Sequence, residues 1–249
     1  MIIPSTVFDF RAAVDVEVSP GHTWVRQIPL AYQHLSDAAI VSLRKRQSVV
    51  PALLLRGSGG IASVSAYLQN LVGAPEAVEL RLQNCGPQFG TYGNGSPLRS
   101  SPPFIAINPC RRVVIKLVDI LAIRSRMYRV DWEEGFTTQY VVNGRRQPIL
   151  WSELGFPRIQ LPHDYSTVHP ACPASLHTWA TMQTVLLVPG IVLSLEIGPE
   201  DSMVMDNERC LFSITSIMQT SEDEPIAKIY PLSHLSEQNP QVHRNTHGM

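Results

Sequence analysis

Hydrophobic and polar positions alternate most clearly between Thr181 and Tyr230, and this stretch predicts a β-meander. An apolar run at 183–188 is followed by the turn Pro189-Gly190 and a second run at 191–197. In that second run Ile191, Leu193, Leu195 and Ile197 face one way and Val192, Ser194 and Glu196 the other, the period of two that a half-wetted strand requires. Residues 203–205 form a short run between the polar turns 198–201 and 206–208. A long run at 210–218 then has 226–230 as its expected partner.

Earlier in the chain, 7–18 reads as one or two strands closed by Ser19-Pro20-Gly21, with 23–30 as a partner. Ser36 is placed to cap a helix over 37–46, whose terminal Arg44, Lys45 and Arg46 complement the helix dipole. A strand at 49–55, a glycine loop, a helix over 61–72 and a strand at 76–83 come next. Residues 84–103 are rich in Gly and Pro and mark a boundary between an N-terminal α/β portion (1–83) and a β-rich portion (104–232). The β-branched content of 112–132 predicts two strands there, although Val113, Leu117, Ile120 and Leu121 also fit a helical spacing. Asn143-Gly144 is a strong hairpin signal between 136–142 and 147–151. A proline-rich connection, 152–178, feeds the meander, and the polar residues 233–249 read as a disordered tail. The expected class is α+β, predominantly antiparallel β in a sandwich or jelly-roll-like packing, with two short helices.

Composition adds little drive toward any partner. The net charge is −1, and charged residues are only 16% of the 249. Arginines number 17 against three lysines, a bias that suits planar and interface contacts. Cys85, Cys110, Cys172 and Cys210 are widely spaced with no CxxC pair, which favours free thiols in a reducing, intracellular compartment. Neither a signal peptide nor a transmembrane segment is expected.

Four patterns could carry chemistry. Gly57-Ser58-Gly59-Gly60-Ile61-Ala62 fits G-x-G-x-x-A between a strand and a helix, where backbone amides can hold a phosphate. The strand after it ends in Gln83-Asn84 rather than the acidic residue a dinucleotide site needs, so Gly57, Gly59 and Gly60 read first as a helix-capping turn. His163, His169, Cys172 and His177, with Asp164, put zinc-type donors within 15 residues, but their spacing matches no zinc module. The four cysteines lack any nucleophile signature. On a strand over 120–130, Arg124, Arg126 and Tyr128 would share a face, with Arg111 and Arg112 upstream, a pattern that can track a nucleic-acid backbone or meet an acidic partner. Asp131, Glu133 and Glu134 follow directly and would pair with those arginines on a solvated face.

With no decisive catalytic signature, the sequence favours a non-enzymatic structural or assembly protein, a shell, matrix or scaffold subunit such as a virion contains. It would act through self-association or protein partners. The alternatives are a nucleic-acid-binding accessory protein using the arginines, and a nucleotide- or metal-dependent enzyme using the glycine or histidine loop. No cofactor is assigned.

Overall fold

The structure, a computed structural model, describes residues 14–19, 22–29, 33–46, 48, 50–57, 66–67, 77–81, 88–93, 101–142, 144–217 and 224–232. Its frame is a seven-stranded sheet. In sheet order the strands are β1 (Val14–Ser19), β2 (His22–Pro29), β3 (Ala52–Arg56), β13 (Ser202–Asp206), β5 (Phe104–Pro109), β15 (Pro225–Leu232) and β4 (Val78–Arg81). All neighbours are antiparallel except β2 and β3. A second sheet places β6 (Val113–Asp119) between β12 (Leu193–Ile197) and β14 (Cys210–Ser216). Two small sheets complete the set. One has β7 (Tyr140–Val142) between β8 (Arg145–Gln147) and β11 (Val168–Pro170), and the other pairs β9 (Leu150–Glu153) with β10 (Phe156–Ile159).

The central strands of the large sheet are buried on both faces, which is why they read as continuous apolar runs. Ala52 and Leu54 (β3), Ile105 and Ile107 (β5), and Met203 and Met205 (β13) face one core. That core also holds Ile115 and Leu117 of β6 and Phe212 and Ile214 of β14. The alternate residues Leu53, Leu55, Phe104, Ala106, Val204 and Tyr230 face the other way, onto Ile40 and Leu43 of helix α1 (Gln33–Arg44). Period-two alternation therefore sorts side chains between two cores rather than between core and water.

Three expectations are corrected. The stretch 181–230 is no meander. Its first run belongs to helix α4 (Pro173–Leu186), where Thr178, Trp179, Met182, Val185 and Leu186 are buried at helical spacing. Pro173 opens this helix, and the Ser175 hydroxyl accepts from the Cys172 backbone N–H at 2.9 Å. A reading that began at Gln183 missed the turns on which the periodicity is plain. The strands that follow do not pair in succession either: β12 and β14 flank β6, while β13 and β15 flank β5. Each connection from β12 to β15 thus crosses from one sheet to the other.

The strand expected over 120–130 is replaced by helices α2 (Ile120–Arg126) and α3 (Arg129–Gly135). The Asp119 carboxylate caps α2 by accepting from the Leu121 N–H at 3.1 Å, so β6 ends where the cap begins. Helix α1 starts before Ser36, which lies buried inside it instead of capping it. The hairpin around Gly144 (φ 75°) does form, with short strands β7 and β8. The helix expected over 61–72 lies outside the described residues except for 66–67, and the tail 233–249 lies wholly outside them. Strand β3, from the N-terminal portion, pairs with β13 from the C-terminal one.

Truncating the inner core should be costly. Ile107→Ala is expected to lower the unfolding free energy by about 2–5 kcal/mol. Val130→Ala, on the exposed face of α3, should change it by no more than about 0.5 kcal/mol. Urea unfolding of both variants checks this, and equal small effects would contradict the placement of Ile107.

Candidate functional site

The crossing from β13 to β14, Asp206-Asn207-Glu208-Arg209, is a polar knot between apolar strands. Its backbone is tied on every side. Asp206 donates to the Pro51 carbonyl at 2.9 Å and Asn207 to that of Pro103 at 2.8 Å. The Glu208 carbonyl accepts from Ile159 at 2.7 Å, and the Arg209 carbonyl from Ile120 at 3.0 Å. The buried Asn207 side chain accepts from the Tyr92 N–H and donates to the Tyr92 carbonyl, both at 2.8 Å, and donates to the Pro102 carbonyl at 2.9 Å. An apolar residue there would leave several buried backbone groups unpaired.

Around this knot lies a cavity of about 480 Å³. Four cations line it, Lys45, Arg46, Arg158 and Arg209, against two carboxylates, Glu153 and Asp206. Arg158 is nearly sealed from solvent. Its Nη1 lies 3.3 Å from Asp206, and its Nε lies 3.4 Å from Glu153 without hydrogen-bond geometry. Arg46 pairs with both Glu153 and Glu208. Arg209 holds Asp119 through two bonds of 3.1 and 2.8 Å. Burial pushes the Asp206 and Glu208 carboxyls up, against the pull of Arg46 and Arg158, and burial lowers Arg46. At the mouth, Leu121, Leu154 and Phe156 are exposed apolar side chains.

Backbone strain concentrates here too. Among the described residues only Arg46 (φ 57°) and Leu154 (φ 51°) are non-glycines in the left-handed region, and both line this cavity. Such conformations persist only where the surroundings hold them, and they gather at ligand sites.

A second polar centre lies where the residues after β10 meet β14. The His163 Nδ1 lies 3.2 Å from the Gln88 carbonyl, so the neutral ring donates from Nδ1 and leaves Nε2 as an acceptor. That Nε2 is buried and has no hydrogen-bond partner. The ring stands edge-on to Phe212, with centroids 4.8 Å apart. Burial holds the imidazole pKa below 6.5. A Cβ on Gly90 would come within 2.8 Å of the His163 backbone and ring, so only glycine fits beneath it.

The histidine-loop residues are dispersed. His169 sits on β11, Cys172 precedes α4, and His177 turns from α4 to bond Asp131 of α3 at 3.0 Å. Asp164 caps the short turn Tyr165–Thr167, accepting from the Ser166 N–H at 2.9 Å. Among the described residues no group of three or more His, Cys, Asp or Glu could hold a metal ion. Arg111 pairs with Glu224 and Arg112 with Glu196. Arg124 and Arg126 lie in the last turn of α2, and Tyr128 caps α3, so no strand displays the three on one face. Gly57 follows the end of β3, while Gly59 and Gly60 lie outside the described residues. Cys110, Cys172 and Cys210 are free thiols. The cavity residues carry no local motif. Their one signal in the sequence is four consecutive polar residues, 206–209, between two apolar runs.

No family model and no curated protein matches the chain by sequence. Solved structures do match it by shape. A crystal structure of asparagine oxygenase aligns with a TM-score of 0.60 at 10% identity, over 81% of this chain and 79% of that one. The non-heme iron oxygenase OrfP, in complex with Fe and alpha-ketoglutaric acid, aligns with a TM-score of 0.59 at 11% identity, over 81% and 80%. Asparagine oxygenase with Fe(II), 3-hydroxyasparagine and succinate gives 0.58 at 11%.

The fold is that of non-heme iron oxygenases. This overturns the expectation of a structural, shell or virion subunit, because the proteins that share the architecture are enzymes. The β-rich expectation agrees with a mostly antiparallel structure that, among the described residues, also carries four full helices. Among the described residues no helix is long and apolar enough to cross a membrane. The solved proteins that share this fold hold iron. A non-heme Fe(II) site of the facial-triad type needs two histidines and a carboxylate. Among the described residues His163 alone has a buried ring nitrogen without a partner, and its ring packs against Phe212. The described residues do not fit the metal.

Two outcomes follow. Arg158→Met should destabilise the fold by about 3–5 kcal/mol by stranding Asp206, and Arg158→Met with Asp206→Leu should recover most of that in chemical denaturation. No recovery would show that the pair is not the cause. His163 is depressed in the folded state, so its stabilising share is complete above 6.5 and is lost as pH falls from there through the folded value. The stability difference between wild type and His163→Gln should therefore shrink below about pH 6.5, the ordinary histidine value. A pH-independent difference would contradict a buried neutral ring.

Proposed function

We propose that this protein binds a small organic acid with an apolar body in the cavity beside the β13–β14 crossing. The observation that carries the reading is the coincidence of two left-handed non-glycine residues with a cluster of guanidiniums. The two strained non-glycine residues, Arg46 and Leu154, line a cavity that presents four cations and two carboxylates. Glu208 and Asp119, which do not line the cavity, also pair with Arg46 and Arg209, so an entering acid would share or displace one of these guanidinium partners. An arriving carboxylate would meet forked donors, and Leu121, Leu154 and Phe156 would cover its apolar part.

The fold supports small-molecule chemistry in preference to assembly. The ligands named for the solved neighbours are of this size: alpha-ketoglutaric acid in one OrfP complex, L-Arg in another, and succinate with asparagine oxygenase. We read the exchange of β12 to β15 between the two sheets as a jelly-roll-like wrap whose connections are free to build such a cavity.

Isothermal titration with alpha-ketoglutaric acid, succinate, octanoate and octanamide tests the proposal. At least one carboxylate should bind saturably, and octanoate should bind at least about tenfold tighter than its neutral amide. Leu154→Glu, at an exposed rim position, should weaken that binding by about tenfold through lost apolar cover and like charge. Equal binding of acid and amide, or no effect of Leu154→Glu, would overturn it.

A further inference from the structure

We infer that this chain holds no iron at its buried histidine, in contrast to the solved proteins whose fold it shares. The argument rests on what surrounds His163. The ring is oriented as metal-ligating histidines are, with Nδ1–H toward a carbonyl and Nε2 left as a lone pair. Among the described residues nothing completes a coordination sphere. Phe212 packs against the ring in a T-shaped contact, with centroids 4.8 Å apart. Gly90, hydrogen-bonded to Phe212 in both directions at 2.9 and 2.8 Å, closes the ring from beside it.

The neighbouring polar side chains are committed elsewhere. The Tyr165 hydroxyl donates to the Phe89 carbonyl at 2.7 Å, and burial raises its pKa, so it stays a neutral phenol. The Asp164 carboxylate is exposed and caps its own turn. One imidazole without a second nitrogen or a carboxylate is not an iron site. The acceptor Nε2 is buried with no hydrogen-bond partner among the described residues, and His163 acts as a packing wedge between the loop at Gln88–Gly90 and strand β14. This inference is independent of the organic-acid cavity, which His163 does not line.

The test uses the full chain. It is purified without chelator, treated anaerobically with one equivalent of Fe(II), desalted and analysed for bound metal. Imidazole ¹⁵N–¹H spectra are recorded before and after Fe(II) addition. The expected result is metal far below one per chain and a His163 signal of the neutral Nδ1–H tautomer that Fe(II) neither shifts nor broadens. Stoichiometric iron together with paramagnetic loss of the His163 signal would overturn the inference. Stoichiometric iron that leaves the His163 signal untouched would place the metal elsewhere and agree with it. Because the spectra are read on the unmutated protein, the result does not depend on a variant that might fail to fold.

Discussion

The structure depends on the polar knot at Asp206 to Arg209. A chain that moves from one sheet to another must carry its backbone through an apolar interior, and every N–H and C=O it exposes there needs a partner. Asn207 meets that demand for the segments at Tyr92 and Pro102 with one amide, which both donates and accepts. Asp206 and Glu208 bring charge into the same place, and burial disfavours that charge unless guanidiniums stand close. Arg158 and Arg46 stand close, and the segments that carry them, strand β10 and the residues after α1, become walls of the cavity. The constraint that lets the sheets exchange strands therefore also assembles the candidate site.

Such a network is weak grounds for stability, because the desolvation of buried ions offsets their attraction. It is better grounds for a site. Three guanidiniums, Arg46, Arg158 and Arg209, converge on one cavity with their counter-charges, and the two left-handed non-glycine residues line it. Leu154 and Gly155 (φ 82°) are the two central residues of the turn from β9 to β10, and a two-residue hairpin turn of this kind takes left-handed backbone at both.

Much of the frame was legible in the sequence. Runs such as 104–108 and 203–205 are strands because both faces are buried, and a continuous apolar run is what such a strand looks like. Asn143-Gly144 announced its hairpin through local turn chemistry. The failures share a cause. Thr181 to Val188 is apolar with β-branched members, yet its periodicity belongs to a helix that begins at Pro173, so the choice of window decided the outcome. Residues 120–126 are rich in isoleucine, but one side-chain cap from Asp119 sets the helix. The candidate site was invisible for a different reason. Arg46, Glu153, Arg158 and Asp206 are spread over 161 positions and meet only because β13 crosses to β14 beside α1 and the β9–β10 turn. The histidines that caught attention by closeness in sequence were instead distributed to separate elements.

In a fold shared with solved iron oxygenases, the His163 ring packs against Phe212 and polar groups gather at an arginine-lined cavity. The most direct measurement is a crystal structure grown with Fe(II) and a bound organic acid, with diffraction recorded on either side of the iron absorption edge. The account predicts ligand density between Arg46 and Arg158 and no anomalous peak within coordination distance of His163 Nε2. An iron peak on that nitrogen, with the arginine-lined cavity empty, would contradict it.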